Sequence, residues 1–320
     1  MPATPPLTSP RIVAILRNPW SGPRRRSVHV WNLLRGLKRH GFSPRLFSSR
    51  RRLQLWMEQP QNRERLFCLV AAGGDGTICD LVTRYPGVRL ATIPLGTENL
   101  LARLLKIPRS GQFVADMIAA GTIWQIDICR TERQRFCLMA SIGFDAAVVH
   151  RTHAGRRGHI YKFSYLGPIW ATIRSYRYPQ LRVWLDDATE PERCRLLVVA
   201  NHAAYALGLR VVPEALGDDG LVDVRLFKAK SFWSTLKLLW CAWRGKLHAQ
   251  RNVVWKRAKR VRIEADAEVP IQIDGDPAGT TPVTIDVLAG ELQLFVPPHF
   301  SPGAAGRMLK PNPTEPSPTV

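Results

Sequence analysis

The run Leu66-Phe67-Cys68-Leu69-Val70-Ala71-Ala72-Gly73-Gly74-Asp75-Gly76-Thr77 decides the fold of this chain. Seven apolar residues in succession suit a strand buried on both faces, as in a parallel sheet. The glycines that follow allow a tight turn into a helix. Working outward, Arg11–Leu16 reads as a short strand ending in Asn18-Pro19. Val30, Leu33, Leu34 and Leu37 form a helical stripe that stops near Gly41. Pro44–Ser48 and Val88–Pro94 read as further strands, the latter followed by a second glycine turn and a helix through Leu105. Such alternation over residues 11–130 predicts a layered α/β domain with a parallel sheet.

The texture changes after residue 130. Strand-like runs appear at Phe136–Ile142, Leu181–Leu185, Leu196–Ala200, Leu221–Phe227, Val261–Glu264, Val269–Ile273 and Glu291–Val296, divided by Gly, Pro and Asp turns. They predict an antiparallel, β-rich second domain over 131–297, with helical interruptions near 159–176 and 231–245. Residues 1–10 and the Pro-rich tail 298–320 read as disordered. No internal repeat is present.

Composition bounds the partners more than the fold. The chain has 320 residues, a soft prior of about two domains. Lys and Arg total 46 against 25 Asp and Glu, a net charge of +21. Anionic membrane, nucleic acid and phosphate-bearing substrates are the candidate partners, and an Arg-rich genome is the plain alternative cause. No C-x-x-C pair occurs among Cys68, Cys79, Cys129, Cys137, Cys194 and Cys241, which read as reduced core residues of a cytosolic protein. The histidines lack ligand spacing, so no zinc site is expected. The amino terminus lacks signal-peptide features, and no stretch approaches the ~18 apolar residues of a membrane span. A membrane enzyme of this kind would be peripheral.

The glycine turn carries the chemistry. Successive N–H groups at 73–77 can form an anion-binding nest, backed by the positive end of the following helix. Asp75 inside the turn means that a bound phosphate needs a counter-charge, for which Mg²⁺ is the natural choice. The alternative is a tight turn with an ordinary capping Asp. Neither G-x-x-x-x-G-K-[ST] nor G-x-G-x-x-G is present.

Companion motifs narrow the reading. They are Asn18-Pro19-Trp20-Ser21-Gly22, Pro94-Leu95-Gly96-Thr97-Glu98-Asn99, Ser141-Ile142-Gly143-Phe144-Asp145-Ala146, Asp218-Asp219-Gly220-Leu221-Val222-Asp223 and Asp274-Gly275-Asp276. In this order the set resembles the diacylglycerol kinase catalytic-domain family, which includes the sphingosine and ceramide kinases. It is most similar to the bacterial YegS-like lipid kinases, over about residues 11–297. The Gly-Gly-Asp-Gly-Thr loop alone is less specific, since NAD kinases carry a similar one.

The resemblance implies an N-terminal domain like that of phosphofructokinase and NAD kinase, a C-terminal β-sandwich, and ATP in the cleft between them. Asn18, Gly73, Gly74, Asp75, Gly76, Thr77 and Thr97 would contact ATP, with Asn99 holding the loop. Magnesium would sit beside the Asp-Asp-Gly-Leu turn, at Leu216, Asp219 and Leu221. The resemblance also implies a membrane-borne lipid hydroxyl as phosphoryl acceptor, diacylglycerol or a relative. Two departures stand out. Asp276 occupies the place of a family Glu, which leaves the general base open between Asp276 and Asp75. Glu98 stands where a small residue is usual.

Residues 228–260 hold ten Lys and Arg with Trp233, Trp240, Trp243 and Trp255 among them. Phe232, Leu236, Trp240, Trp243 and Leu247 have helical spacing, with Ser231 as N-cap and Gly245 near the stop. Such a helix can lie on an anionic bilayer or simply cover the β-domain. A second basic stretch, Arg151–Lys162, precedes apolar residues 163–170 and reads as a weaker candidate flank for a lipid entrance. The expectation is therefore a cytoplasmic, peripherally membrane-associated lipid kinase using ATP and Mg²⁺. Specific nucleic-acid binding is not expected, and the oligomeric state stays open, a homodimer included. The alternatives are a soluble-substrate kinase of the NAD-kinase type and a basic protein binding nucleic acid or ATP without turnover.

Overall fold

The computed structural model describes residues 11–19, 26–154, 172, 176–203, 211–229, 231–301 and 307–309. Trp20, Ser21 and Gly22 of the first motif, both tails in large part, and most of the stretches 151–162 and 159–176 lie outside the described residues. The chain forms two units, one of residues up to Ile126 plus those from Gly290 onward, the other Asp127–Ala289.

In the first unit, β1 (Ile12–Arg17), α1 (Ser27–Arg39), β2 (Ser43–Phe47), α2 (Arg50–Met57), α3 (Pro60–Glu64), β3 (Leu66–Gly73), α4 (Asp75–Arg84), β4 (Leu90–Pro94), α5 (Leu100–Leu104) and α6 (Gly111–Ala120) follow one another. The sheet order is β2-β1-β3-β4, all parallel. Every residue of β3 is buried, as its unbroken apolar run requires. The central strands end at Arg17, Gly73 and Pro94, so three sequence motifs emerge from one edge of the sheet.

The second unit holds two antiparallel sheets. Its elements begin with the last residues of β5 (Ile123–Arg130), then β6 (Arg135–Phe136), β7 (Met139–Ile142), α7 (Phe144–Ala154), β8 (Leu181–Leu185), β9 (Glu192–Cys194), β10 (Leu196–Ala200), β11 (Val222–Phe227) and α8 (Phe232–Trp243). They continue with β12 (Val253–Ala258), β13 (Arg260–Ala265), β14 (Pro270–Ile273), β15 (Asp276–Thr280) and the first part of β16 (Val283–Phe295). One sheet runs β12-β11-β10-β7-β14-β15, and in the other β16, β13, β8 and β9 are neighbours. The late part of β16 belongs to the first unit, where Leu294 pairs with Leu90 of β4. That region, expected in the second domain, thus returns to the first sheet.

The expected strand Phe136–Ile142 is two strands, β6 and β7. The break has a cause: the N–H groups of Cys137 and Leu138 donate to the Asp274 carboxylate instead of a ladder partner. All six cysteines are free thiols, five of them buried. Among the described residues no helix is long and apolar enough to cross a membrane.

Candidate functional site

The first unit presents its loops at the β1, β3 and β4 ends. The Asn18 N–H donates to the Ala72 carbonyl at 3.1 Å, which fixes the first motif beside the glycine turn. The Gly73 carbonyl accepts from Leu95 N–H at 2.8 Å and Gly96 N–H at 3.1 Å, joining the second turn to it. Main chains touch here: a Cβ on Gly96 would lie 2.6 Å from the Gly74 Cα. A side chain at Gly73 would meet the Thr77 hydroxyl at 2.2 Å. Those glycines are demanded by close approach rather than by unusual φ.

Asn99 is buried in the left-handed conformation, φ 50°. Its amide clamps the turn from within, accepting from Gly96 N–H and donating to Gly96 C=O, both at 2.8 Å. Asn99 therefore shapes its own turn, while Thr97 stands exposed at the tip. The Thr77 hydroxyl is buried without a hydrogen-bond partner. In the first turn of α4 the Thr77 N–H donates to the Gly74 carbonyl at 2.9 Å and the Asp75 N–H to its own carboxylate. The unpartnered Thr77 hydroxyl suits a turn made for phosphate oxygens.

Asp75 is engaged on both oxygens, Oδ2 accepting Leu100 N–H at 2.9 Å and Oδ1 accepting Leu101 N–H at 3.2 Å. Burial pushes its carboxyl above the usual carboxylate range, the Leu100 and Leu101 N–H groups pull it back, and nearby Glu98 adds to the rise. Glu98, which the sequence left without a role, pairs with Arg103 at 3.2 Å.

Two residues here escaped the sequence reading. Arg26 Nη1 donates to the carbonyls of Leu95 and Gly96 at 2.6 and 3.0 Å. Arg109 Nε donates to Pro94 C=O at 2.8 Å. Burial lowers the Arg26 pKa, and the Arg109 charge lowers it further. Neither arginine has motif spacing, so only the fold could bring them to one turn.

In the second unit the Asp-Asp-Gly-Leu turn is held by a carboxylate the sequence also missed. Asp127, buried in β5, accepts Gly220 N–H at 2.6 Å, and its own N–H donates to Gly217 C=O at 2.8 Å. A lone acid inside the apolar run Ile123–Cys129 was the available signal. Asp219 Oδ1 accepts Leu221 N–H at 3.1 Å, and its Oδ2 is paired with the Arg257 guanidinium. The groups that the resemblance assigns to magnesium, the Leu216 and Leu221 carbonyls and the Asp219 carboxylate, are all oxygens, the donor type that ion takes. Arg257 competes with any such ion for Asp219.

The two acids of Asp274-Gly275-Asp276 differ completely. Asp274 is buried at φ 49° and accepts N–H from Cys137, Leu138 and Met139 at 3.1, 3.1 and 2.8 Å. Asp276 is exposed, with His153 Nε2 3.9 Å away. Behind this turn, Gly275 N–H donates to Gln272 Oε1 at 2.9 Å, Gln272 Nε2 donates to the Ser141 hydroxyl at 2.7 Å, and Ser141 donates to Asp145. Among the described residues, Asp145 is the one charged residue lining an apolar cavity of about 70 Å³, with Phe144, Leu197, Phe227 and Leu238 among its walls.

A parallel α/β unit with a phosphate-type glycine turn, followed by antiparallel sheets with acidic turns, defines a two-domain kinase class. Residues 12–131 match the diacylglycerol kinase catalytic domain, and residues 139–296 match the YegS C-terminal NAD kinase beta sandwich-like domain. The chain belongs to the diacylglycerol kinase catalytic-domain family, of the YegS-like kind. It is 23% identical over 288 residues to the diacylglycerol kinase of Staphylococcus saprophyticus, covering 88% of this chain and 94% of that one. A diacylglycerol kinase of Staphylococcus aureus strain MRSA252 is also 23% identical, over 88% of this chain and 91% of the relative. The crystal structure of a diacylglycerol kinase from Bacillus anthracis str. Sterne superposes with a TM-score of 0.65 at 17% identity, over 90% of this chain and 97% of that one. That likeness agrees with the α/β plus β-sandwich architecture.

Proposed function

We propose that this kinase uses ATP and Mg²⁺ to phosphorylate the hydroxyl of diacylglycerol or a related lipid at a membrane surface. The observation that carries the reading is the pair of interlocked turns at 73–77 and 94–99. Gly74 and Gly96 let the two main chains touch, which fixes the 73–77 turn against the 94–99 turn, and Asn99, Arg26 and Arg109 hold the latter in place. Phosphoryl transfer asks mainly for positioning and charge neutralisation. The N–H groups of the 73–77 turn would hold phosphate oxygens, with Asn18 and Thr97 beside them. Magnesium at Leu216, Asp219 and Leu221 would supply positive charge to the Asp-rich turn.

The acceptor hydroxyl must also release a proton. Asp75 has both oxygens committed to Leu100 and Leu101, whereas Asp276 is exposed, which favours Asp276 as the base. The apolar cavity beside Asp145 supports an acceptor with acyl character.

The test is transfer from γ-labelled ATP with Mg²⁺ to vesicle-borne diacylglycerol, ceramide, sphingosine and monoacylglycerol, with NAD as soluble control. A labelled lipid is the expected product. Label on NAD alone, or no product, would overturn the reading.

A further inference from the structure

Helix α8 is built as expected at its ends, and both of its sides carry apolar residues. Ser231 caps it, its hydroxyl accepting Ser234 N–H while the Ser234 hydroxyl accepts Ser231 N–H. Gly245 at φ 66° closes it, with Lys246 N–H donating back to Cys241 C=O at 2.8 Å. The buried face is Thr235, Leu238, Cys241 and Ala242. Leu247, expected on the same stripe, lies beyond the helix and is buried. The outward face is apolar as well: Trp233 is 74% exposed, Trp240 57% and Trp243 65%, with Leu236 and Leu239 between them. A helix apolar all round is ordinarily buried on every side, and contiguous exposed apolar surface marks an interaction site.

Charge selects the partner. Between Lys228 and Arg260 there are ten Lys and Arg and no Asp or Glu. Lys237 and Arg244 are exposed on the outward face of α8, and Lys246 and Arg251 are exposed just beyond it. None of the four has a carboxylate partner among the described residues. The Arg244 guanidinium lies over the Trp240 ring, 5.2 Å from its centroid. Indole rings with cations beside them match the bilayer interface, where Trp settles at headgroup depth and Lys and Arg meet anionic lipid. A symmetric pair of α8 faces would instead bring two sets of Lys237 and Arg244 into one interface with no Asp or Glu from 228–260 to offset them. The inner residues Leu238 and Ala242, with Leu239 at the edge of the outward face, also line the cavity beside Asp145, so α8 has the cavity on one side and this face on the other.

We propose that the outward face of α8 docks the protein on anionic lipid bilayers. The proposal rests on the lipid-kinase reading for its purpose, but not for its test. Vesicle co-sedimentation without ATP compares phosphatidylcholine alone with phosphatidylcholine containing phosphatidylglycerol. Wild type is expected to bind the anionic vesicles only. Trp233→Ser/Trp240→Ser/Trp243→Ser and Lys237→Glu/Arg244→Glu are each expected to weaken that binding roughly tenfold or more. The charge-reversal variant keeps every apolar side chain of the helix and decides the matter if the triple variant folds poorly. Both variants are expected to keep wild-type turnover on a water-soluble short-chain diacylglycerol, a readout of the kinase reading by itself. Undiminished vesicle binding by the variants, or none by wild type, overturns the proposal. So does a wild-type dimer that Trp233→Ser/Trp240→Ser/Trp243→Ser converts to monomer, since the face would then belong to a second copy.

Discussion

Asp75 accepts the backbone N–H of Leu100 at 2.9 Å, so the acid of the glycine turn caps the helix that follows the next turn. Its other oxygen does the same for Leu101. The sequence alone predicts that Asp75→Ala stops phosphoryl transfer with the fold intact. The geometry adds a structural cost. Losing two charge-assisted bonds to a helix start should lower stability on the order of 2 kcal/mol. Thermal unfolding of the ligand-free protein checks this. Asp75→Asn, which keeps one carbonyl oxygen, should lose less than Asp75→Ala. Equal midpoints for wild type and Asp75→Ala would mean the contact carries no weight.

Arg257 and Asp219 form an ion pair at the turn where the family resemblance puts magnesium. A guanidinium and a divalent cation compete for one carboxylate. Arg257→Gln should therefore raise the affinity for Mg²⁺ roughly tenfold, read from the metal dependence of the unfolding midpoint. Asp219→Asn should abolish the metal response. If Arg257→Gln leaves that response unchanged, the ion does not bind at Asp219.

Asp274 and Asp276, two residues apart, should fail in opposite ways. Asp276→Asn should cut kcat on the order of 100-fold or more with little change in KM for ATP, as removal of a general base does. Asp274→Asn should instead destabilise the fold by about 3 kcal/mol, because three buried N–H groups lose a charged acceptor. Unchanged turnover in Asp276→Asn would assign the proton acceptor elsewhere.

What the sequence revealed follows from what is local. The 66–72 run, the Ser231 cap and the Gly245 stop each depend on a few adjacent residues, and the structure has all three. The 94–99 turn stood out as a motif because it is contiguous. Arg26, Arg109 and Asp127 did not, since each acts on residues 69 or more positions away, or on a turn reached only through tertiary folding. The side of α8 that turns outward stayed open in the sequence for a related reason. Helical spacing identifies residues that share a side, but only packing decides which side turns inward.

His202 is the residue through which pH should reach the Asp-rich turn. It is fully enclosed, its ring lies against Gly217, and it bonds to the backbone of Leu216. Burial lowers its pKa from 6.5 to about 4, the Leu216 bond opposing part of the fall. A histidine with a depressed folded pKa contributes stability that is complete above 6.5 and is lost as pH falls toward 4. At about 1.4 kcal/mol per pH unit, the contribution over that window is about 3 kcal/mol. Denaturant unfolding at pH 7 and pH 4 should show wild type losing about this much more than His202→Gln. Hydrogen exchange should report the same protonation locally, with the amides of 216–221 opening before those of β10 and β11. Parallel pH profiles for the two proteins would mean that His202 finds a route to solvent without disturbing the turn. Acid sensitivity could not then be assigned to Asp75 and Asp223, whose burial raises their pKa values. Those groups have the opposite sign, being most favourable when protonated, so the direction of the slope itself separates the two origins.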